Sequence, residues 1–81
     1  FNPSTMISYQ LPVRGEVSVS IYNSVGRQVA TLVNREQQAA GAYSYRWEAG
    51  SLASGIYFYR INILGENGQN FSDVKKMMLI K

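Results

Sequence analysis

The 81-residue sequence contains no cysteine and no histidine, only two prolines, and only five acidic side chains. Without cysteine no disulfide can staple the fold. Without cysteine or histidine, zinc sites of ordinary composition are excluded. The same absences remove the commonest nucleophile–base pairs. The acids are Glu16, Glu36, Glu48, Glu66 and Asp73, all at expected strand ends or in loops. None has the spacing of an oxygen-rich calcium loop, and none forms the carboxylate pair that glycoside hydrolysis needs. No catalytic residue, metal or cofactor is therefore assigned, and the chain is read as non-enzymatic. Long apolar runs are absent too. Nothing approaches the roughly 20 residues that span a bilayer, so membrane insertion is not expected. The net charge of +3 is too small to argue for nucleic acid.

What is present is aromatic and β-branched. Six Tyr, three Phe and one Trp stand in a chain of single-domain length. Each aromatic buries roughly 150–250 Å², which offsets the small size of the core. The stretch from Gly55 to Ile63 organises the rest. Tyr57, Tyr59, Ile61 and Ile63 fall on one face by alternation, and Ile56, Phe58, Arg60 and Asn62 on the other. The first face is taken as core. Gly55, which joins a small-residue loop to this strand, is expected to need a conformation closed to β-branched residues.

Other strands follow the same pattern. From Thr5 to Leu11, Ile7, Tyr9 and Leu11 alternate with Met6, Ser8 and Gln10. From Glu16 to Asn23, Val17, Val19 and Ile21 point inward. Ser24-Val25-Gly26-Arg27 reads as a hairpin turn. Gln28 to Val33 is a strand of ambiguous facing, because Val29 and Val33 compete with Leu32. Asn34 to Ala40 is polar and is read as a loop. Gly41 restarts extended structure, with Tyr43, Tyr45 and Trp47 inward. Gly65 to Gln69 is a hairpin loop around Asn67-Gly68. Asn70 to Ile80 is the last strand, with a bulge expected near Asp73. Six or seven short strands, turn signals and no helix of normal length define an all-β chain, an antiparallel β-sandwich rather than a small barrel.

Two surface readings arise from the residues. Tyr43, Tyr45 and Trp47 have the look of a sugar-binding platform, but one inward stripe in a small sandwich reads better as core. Phe58 and Arg60 with Tyr22, Lys75 and Lys76 suggest a stacking-plus-cation surface for single strands of nucleic acid. A mixed outer sheet face explains them better, and no nucleic-acid partner is assigned.

The whole chain resembles the type A C-terminal sorting domain of the type IX (Por) secretion system of Gram-negative bacteria. The matching words are Phe1-Asn2-Pro3-Ser4-Thr5, Ile7-Ser8-Tyr9, Leu11-Pro12, Val17 to Tyr22, Gly26-Arg27, Thr31-Leu32-Val33, Ala40-Gly41 and Trp47. Leu52 to Arg60, Lys75-Lys76-Met77 and Leu79-Ile80-Lys81 complete them. Glu48 stands where the family usually has Asp. The immunoglobulin-like domain of a flagellar hook-capping protein is related.

The resemblance implies an immunoglobulin-like β-sandwich over residues 1–81, a single sorting domain excised from the end of a larger secreted protein. Its opening Phe1, with no Met before it, fits that expectation. Implied partners are the secretion translocon, a cell-surface sortase and an upstream cargo domain, itself an enzyme such as a hydrolase in some members. The implied location is secreted or cell-surface, with the domain cleaved or used for attachment. Gly26, Gly41, Trp47, Gly55 and Tyr57 are its structural signature. The last strand carries a candidate recognition strip of Lys75, Lys76, Met78, Ile80 and Lys81, with Met77 and Leu79 as its core side. A carbohydrate-binding or structural accessory module of a surface hydrolase is the competing reading.

Overall fold

The structure, a computed structural model, describes residues 4–80. The expected entry at Phe1-Asn2-Pro3 and the terminal Lys81 lie outside them. Six antiparallel strands form two sheets. They are β1 (Ser4–Leu11), β2 (Gly15–Asn23), β3 (Gln28–Gln38), β4 (Gly41–Glu48), β5 (Gly55–Gly65) and β6 (Asn70–Leu79). β1 pairs with β4 alone, and the second sheet has the order β3-β2-β5-β6. The long aromatic strand is thus central, as its apolar character on both faces requires.

The alternation read from the sequence sets the core. Ile7, Tyr9 and Leu11 of β1 and Trp47 of β4 face Val17, Val19, Ile21, Tyr57, Ile61, Ile63 and Leu79 of the large sheet, all buried. This is an immunoglobulin-like sandwich in its connectivity. The β1–β4 pair corresponds to strands B and E, and β3-β2-β5-β6 to C′-C-F-G. Among the described residues nothing fills the A position beside β1 or the D position beside β4.

Two local expectations are corrected. Asn34 to Gln38 is not a loop but the second half of β3. Its residues pair with the start of β2, Glu36 with Val17 and Gln38 with Gly15. The unsatisfied edge of β2 supplies the hydrogen bonds, and pairing overrides weak local propensity. The last strand has no bulge at Asp73, since its register against β5 runs unbroken from Leu64–Asn70 to Gly55–Leu79. The irregularity lies instead in β2–β3, with register shifts after Val17, Val19 and Ile21 and a left-handed Arg35 at φ 51°. Those shifts explain the mixed facing of β3, where Val33 is buried and Val29 and Leu32 are only half-buried.

The turns form where the sequence places them. Asn23 closes the first hairpin: its Oδ1 accepts from the N–H groups of Val25 and Arg27. Gly26 sits in that turn, Gly41 opens β4 and Gly55 opens β5, with φ of 85°, 152° and 154°. At Gly55 the small-residue loop ends and the central strand begins, in a backbone region that side chains rarely enter.

Candidate functional site

The last two strands divide the candidate residues between two faces. β6 residues opposite the buried Tyr57, Ile61 and Ile63 are Met77, Asp73 and Phe71, and Lys75 lies opposite Tyr59. They belong to the inner side of the large sheet, with Leu79 fully buried at its end. Lys76 and Met78, opposite Phe58 and Ile56, belong to the outer side. Ile80 follows the strand and is 58% exposed. The proposed strip is therefore not one surface: Lys76 and Met78 share the outer face, while Lys75 turns inward.

On the outer face those two residues join others that the last strand alone does not reveal. Tyr22, Phe58 and Lys76 form one cross-strand row, and Ser20, Arg60 and Val74 the next. Ile56 and Met78 close the end. The Arg60 guanidinium stands 5.8 Å from the centre of the Tyr22 ring, a cation–π contact of about 0.5–1 kcal/mol at an exposed site. A shallow hollow of about 360 Å³ lies among Tyr22, Asn23, Ser24, Gly26, Phe58, Arg60 and Val74. No acidic side chain shares these rows. Glu16 lies at the far end of the same face, opposite Leu64, and is held by Arg35 at 3.1 Å. The signal in the sequence was the non-core half of the central strand, which becomes a surface only when β2 and β6 are placed beside it.

The other carboxylates do not converge. Glu66 is 3.7 Å from Arg14, and Glu48 is 3.3 Å from Arg46. Among the described residues no group of three acidic, histidine or cysteine side chains could hold a metal ion. No helix of the described residues is long and apolar enough to cross a membrane.

The aromatic stripe of β4 faces the core, with Trp47 buried and Tyr43 and Tyr45 half-buried against it. Trp47 meets Tyr57 edge-on at 5.9 Å, and Tyr9 stacks on Tyr43 and Tyr45 at 5.4 and 6.1 Å. Around that stack lies a polar group that sequence reading missed. Gln38, the only buried polar residue among those described, accepts a hydrogen bond from the Tyr9 hydroxyl and donates one to the Tyr45 hydroxyl at 2.9 Å. It ties the end of β3 to both strands of the small sheet.

Burial, and then the neighbouring Tyr45, push the Tyr9 phenol above its ordinary value of 10.0. The folded state thus holds this proton more firmly than the unfolded chain. Its contribution is complete below about pH 10 and is lost as the pH climbs from there toward the raised value. The urea midpoint is expected to fall between about pH 10 and 11. Tyr9→Phe should cost about 1–3 kcal/mol at neutral pH, because it strands Gln38 Oε1, and should flatten that alkaline decline. An equally steep decline in the variant would assign the effect to other groups.

The described residues thus form a two-layer β-sandwich with an apolar, basic outer face. The chain belongs to the family of secretion system C-terminal sorting domains, whose pattern it matches over residues 2–80. This is the non-catalytic sorting signal of type IX secretion, and it marks proteins exported across the outer membrane to the cell surface or beyond. Such a domain interacts with the secretion machinery. Among curated proteins and among solved structures, nothing matches the chain.

Proposed function

We propose that residues 1–81 are the terminal sorting domain of a larger secreted protein, and that the translocon reads it through the outer face of β5 and β6. Ile56, Phe58, Val74 and Met78 make this face apolar, and Arg60 and Lys76 make it basic. The single observation behind this reading is that patch, continuous across three strands and free of acidic side chains in its rows. Outward Met and aromatic groups rimmed by cations suit an adaptable protein contact. After export, a cell-surface sortase removes the domain or exchanges it for a surface anchor.

The test separates folding from recognition. Lys76→Glu with Met78→Ser and Ile80→Ser alters only exposed side chains. Its thermal midpoint should stay within a few degrees of wild type, in line with the small cost of exposed substitutions. Export of a reporter fused to it should fall by at least about tenfold, the effect of removing about 1.4 kcal/mol of binding. Normal export of the folded variant would remove this face from recognition. Loss of the domain from the exported reporter, in cells with the sortase but not without it, would establish cleavage.

A further inference from the structure

The charges of this domain are sorted rather than mixed. Three of its five acidic side chains are held by arginines: Glu16 by Arg35, Glu48 by Arg46 and Glu66 by Arg14. The other two, Glu36 and Asp73, stand opposite Val17 and Ile61 and so belong to the inner side of the large sheet. Lys75 lies on that side too, opposite Tyr59 and two residues from Asp73. The described cations left over are Arg60 and Lys76 on the outer face and Arg27 in the hairpin beside it. Among the described residues none of these three has an ion-pair partner.

Arg60 and Lys76 are also close together. Lys76 pairs with Phe58 and Arg60 with Val74, so the two cations are diagonal neighbours on one face. That relation sets residues about 7–8 Å apart, and like charges at this distance repel. No carboxylate of the described residues relieves them. The Tyr22 ring backs the Arg60 guanidinium at 5.8 Å. Such a contact uses the flat side of the guanidinium and leaves its N–H fork for an acceptor. Among the described residues no acceptor takes that fork. Phe58 and Val74 lie beside the two cations, and the hollow of about 360 Å³ opens next to Arg60. Two uncompensated cations over an apolar floor are complementary to a carboxylate carried beside an apolar side chain.

We propose that the outer face docks an acidic segment of a secretion-machinery protein, with an Asp or Glu carboxylate between Arg60 and Lys76 and a neighbouring apolar side chain over Phe58. This rests on the reading that the translocon grips the outer face, and it names the chemistry of the partner. Membership of the sorting family supplies that partner, because such domains interact with the secretion machinery. A second copy of this chain is a poor guest, since its own outer face is basic and repels its like. A phosphate group alone answers the cations but leaves Ile56, Phe58 and Val74 uncovered.

The test uses an unrelated reporter fused to residues 1–81, so nothing that precedes Phe1 in a larger protein is present. Three paired variants keep, cancel and reverse the charge: Arg60→Lys with Lys76→Arg, Arg60→Gln with Lys76→Gln, and Arg60→Glu with Lys76→Glu. Export should stay near wild type in the first, fall in the second and fall at least about tenfold in the third. Normal export of the reversed variant would overturn the proposal. If Lys76→Glu with Met78→Ser and Ile80→Ser still failed to export, the outer face would stand and only the carboxylate would fall. Normal export of both would remove the face from recognition, and the proposal with it.

Binding to the folded wild-type chain decides the matter whatever the stability of the variants. At low salt the capped peptide DEFED should shift the amide resonances of Phe58, Arg60 and Lys76, and about 1 M salt should abolish the shifts. Its uncharged counterpart NQFQN should leave them in place. No shift, equal shifts with both peptides, or shifts confined to Arg27 or Lys75 would overturn the proposal. So would binding to phosphatidylglycerol vesicles without binding to the peptide, which would make the guest a lipid surface. Loss of the peptide shifts in a longer polypeptide carrying residues upstream of Phe1 would make the guest the chain's own segment, and overturn it as well.

Discussion

Tyr57→Ala is expected to remove about 3–5 kcal/mol of stability, by analogy with other buried aromatic truncations. The net stability of a domain this size is only about 4–12 kcal/mol. Tyr57 sits where three contributions meet. Its ring is 6% exposed and lies in the middle of the core. It packs edge-on against Trp47, a geometry that adds about 0.5–1.5 kcal/mol beyond area. Its hydroxyl donates to Ala53 O at 2.7 Å, which fixes the loop entering β5. Truncation loses all three and leaves a cavity between the sheets. Trp47 is the sole tryptophan, so its fluorescence reports unfolding directly. Tyr57→Phe should cost only about 1 kcal/mol, the hydroxyl's share. Trp47→Ala should be as severe as Tyr57→Ala, and the double variant less than additive because the rings touch. A urea midpoint for Tyr57→Ala near wild type would show that β5 is not the centre of the fold.

Gly15→Val is expected to be the next most damaging, at about 3 kcal/mol, the upper part of the overpacking range. The reason is proximity rather than backbone angle. A Cβ at Gly15 would stand 2.5 Å from Leu64 O and 3.0 Å from Gly65 Cα, both main-chain atoms. Gly15 pairs with Gly65 across β2 and β5 and with Gln38 across β2 and β3. The strand pair can relieve the clash only by separating, which disturbs Gln38 and hence Tyr9 and Tyr45. Gly15→Ala should lose about 1–3 kcal/mol through the same contact. Ser18→Ala, on the opposite face of the same strand, should lose less than about 0.5 kcal/mol. Midpoints that rank Ser18→Ala with Gly15→Val would remove close approach as the cause.

Much of this fold was legible because alternation is a local signal. Ile7, Tyr9 and Leu11, or Val17, Val19 and Ile21, announce their inner face whatever lies opposite them. The second half of β3 was not legible. Asn34, Arg35, Glu36 and Gln37 carry no apolar alternation, and Gln38 is buried only because two tyrosine hydroxyls from the other sheet receive it. Those partners are remote in sequence, and no local pattern encodes them. The candidate surface was half legible for a similar reason. Lys76 and Met78 were visible as outward residues of β6, and Tyr22, Phe58 and Arg60 as their companions, but only the β2–β5–β6 order sets these side by side and turns Lys75 to the other face. Alternation also cannot tell a covered inner face from an uncovered one, so Phe71, Asp73 and Lys75 gave no sign that they stay exposed on the inner side.

Leu79, near the end of the last strand, is among the most completely buried side chains of the domain. β6 completes the large sheet as the neighbour of β5 on the side away from β2. A ribosome delivers this chain from the other end, and domains fold as units once their parts have emerged. A polypeptide that stops before β6 therefore lacks both a core residue and the strand bearing Lys76 and Met78. Whatever grips the folded domain thereby verifies that translation has run through its final strand. Prematurely ended products would fail this inspection without any separate proofreading device.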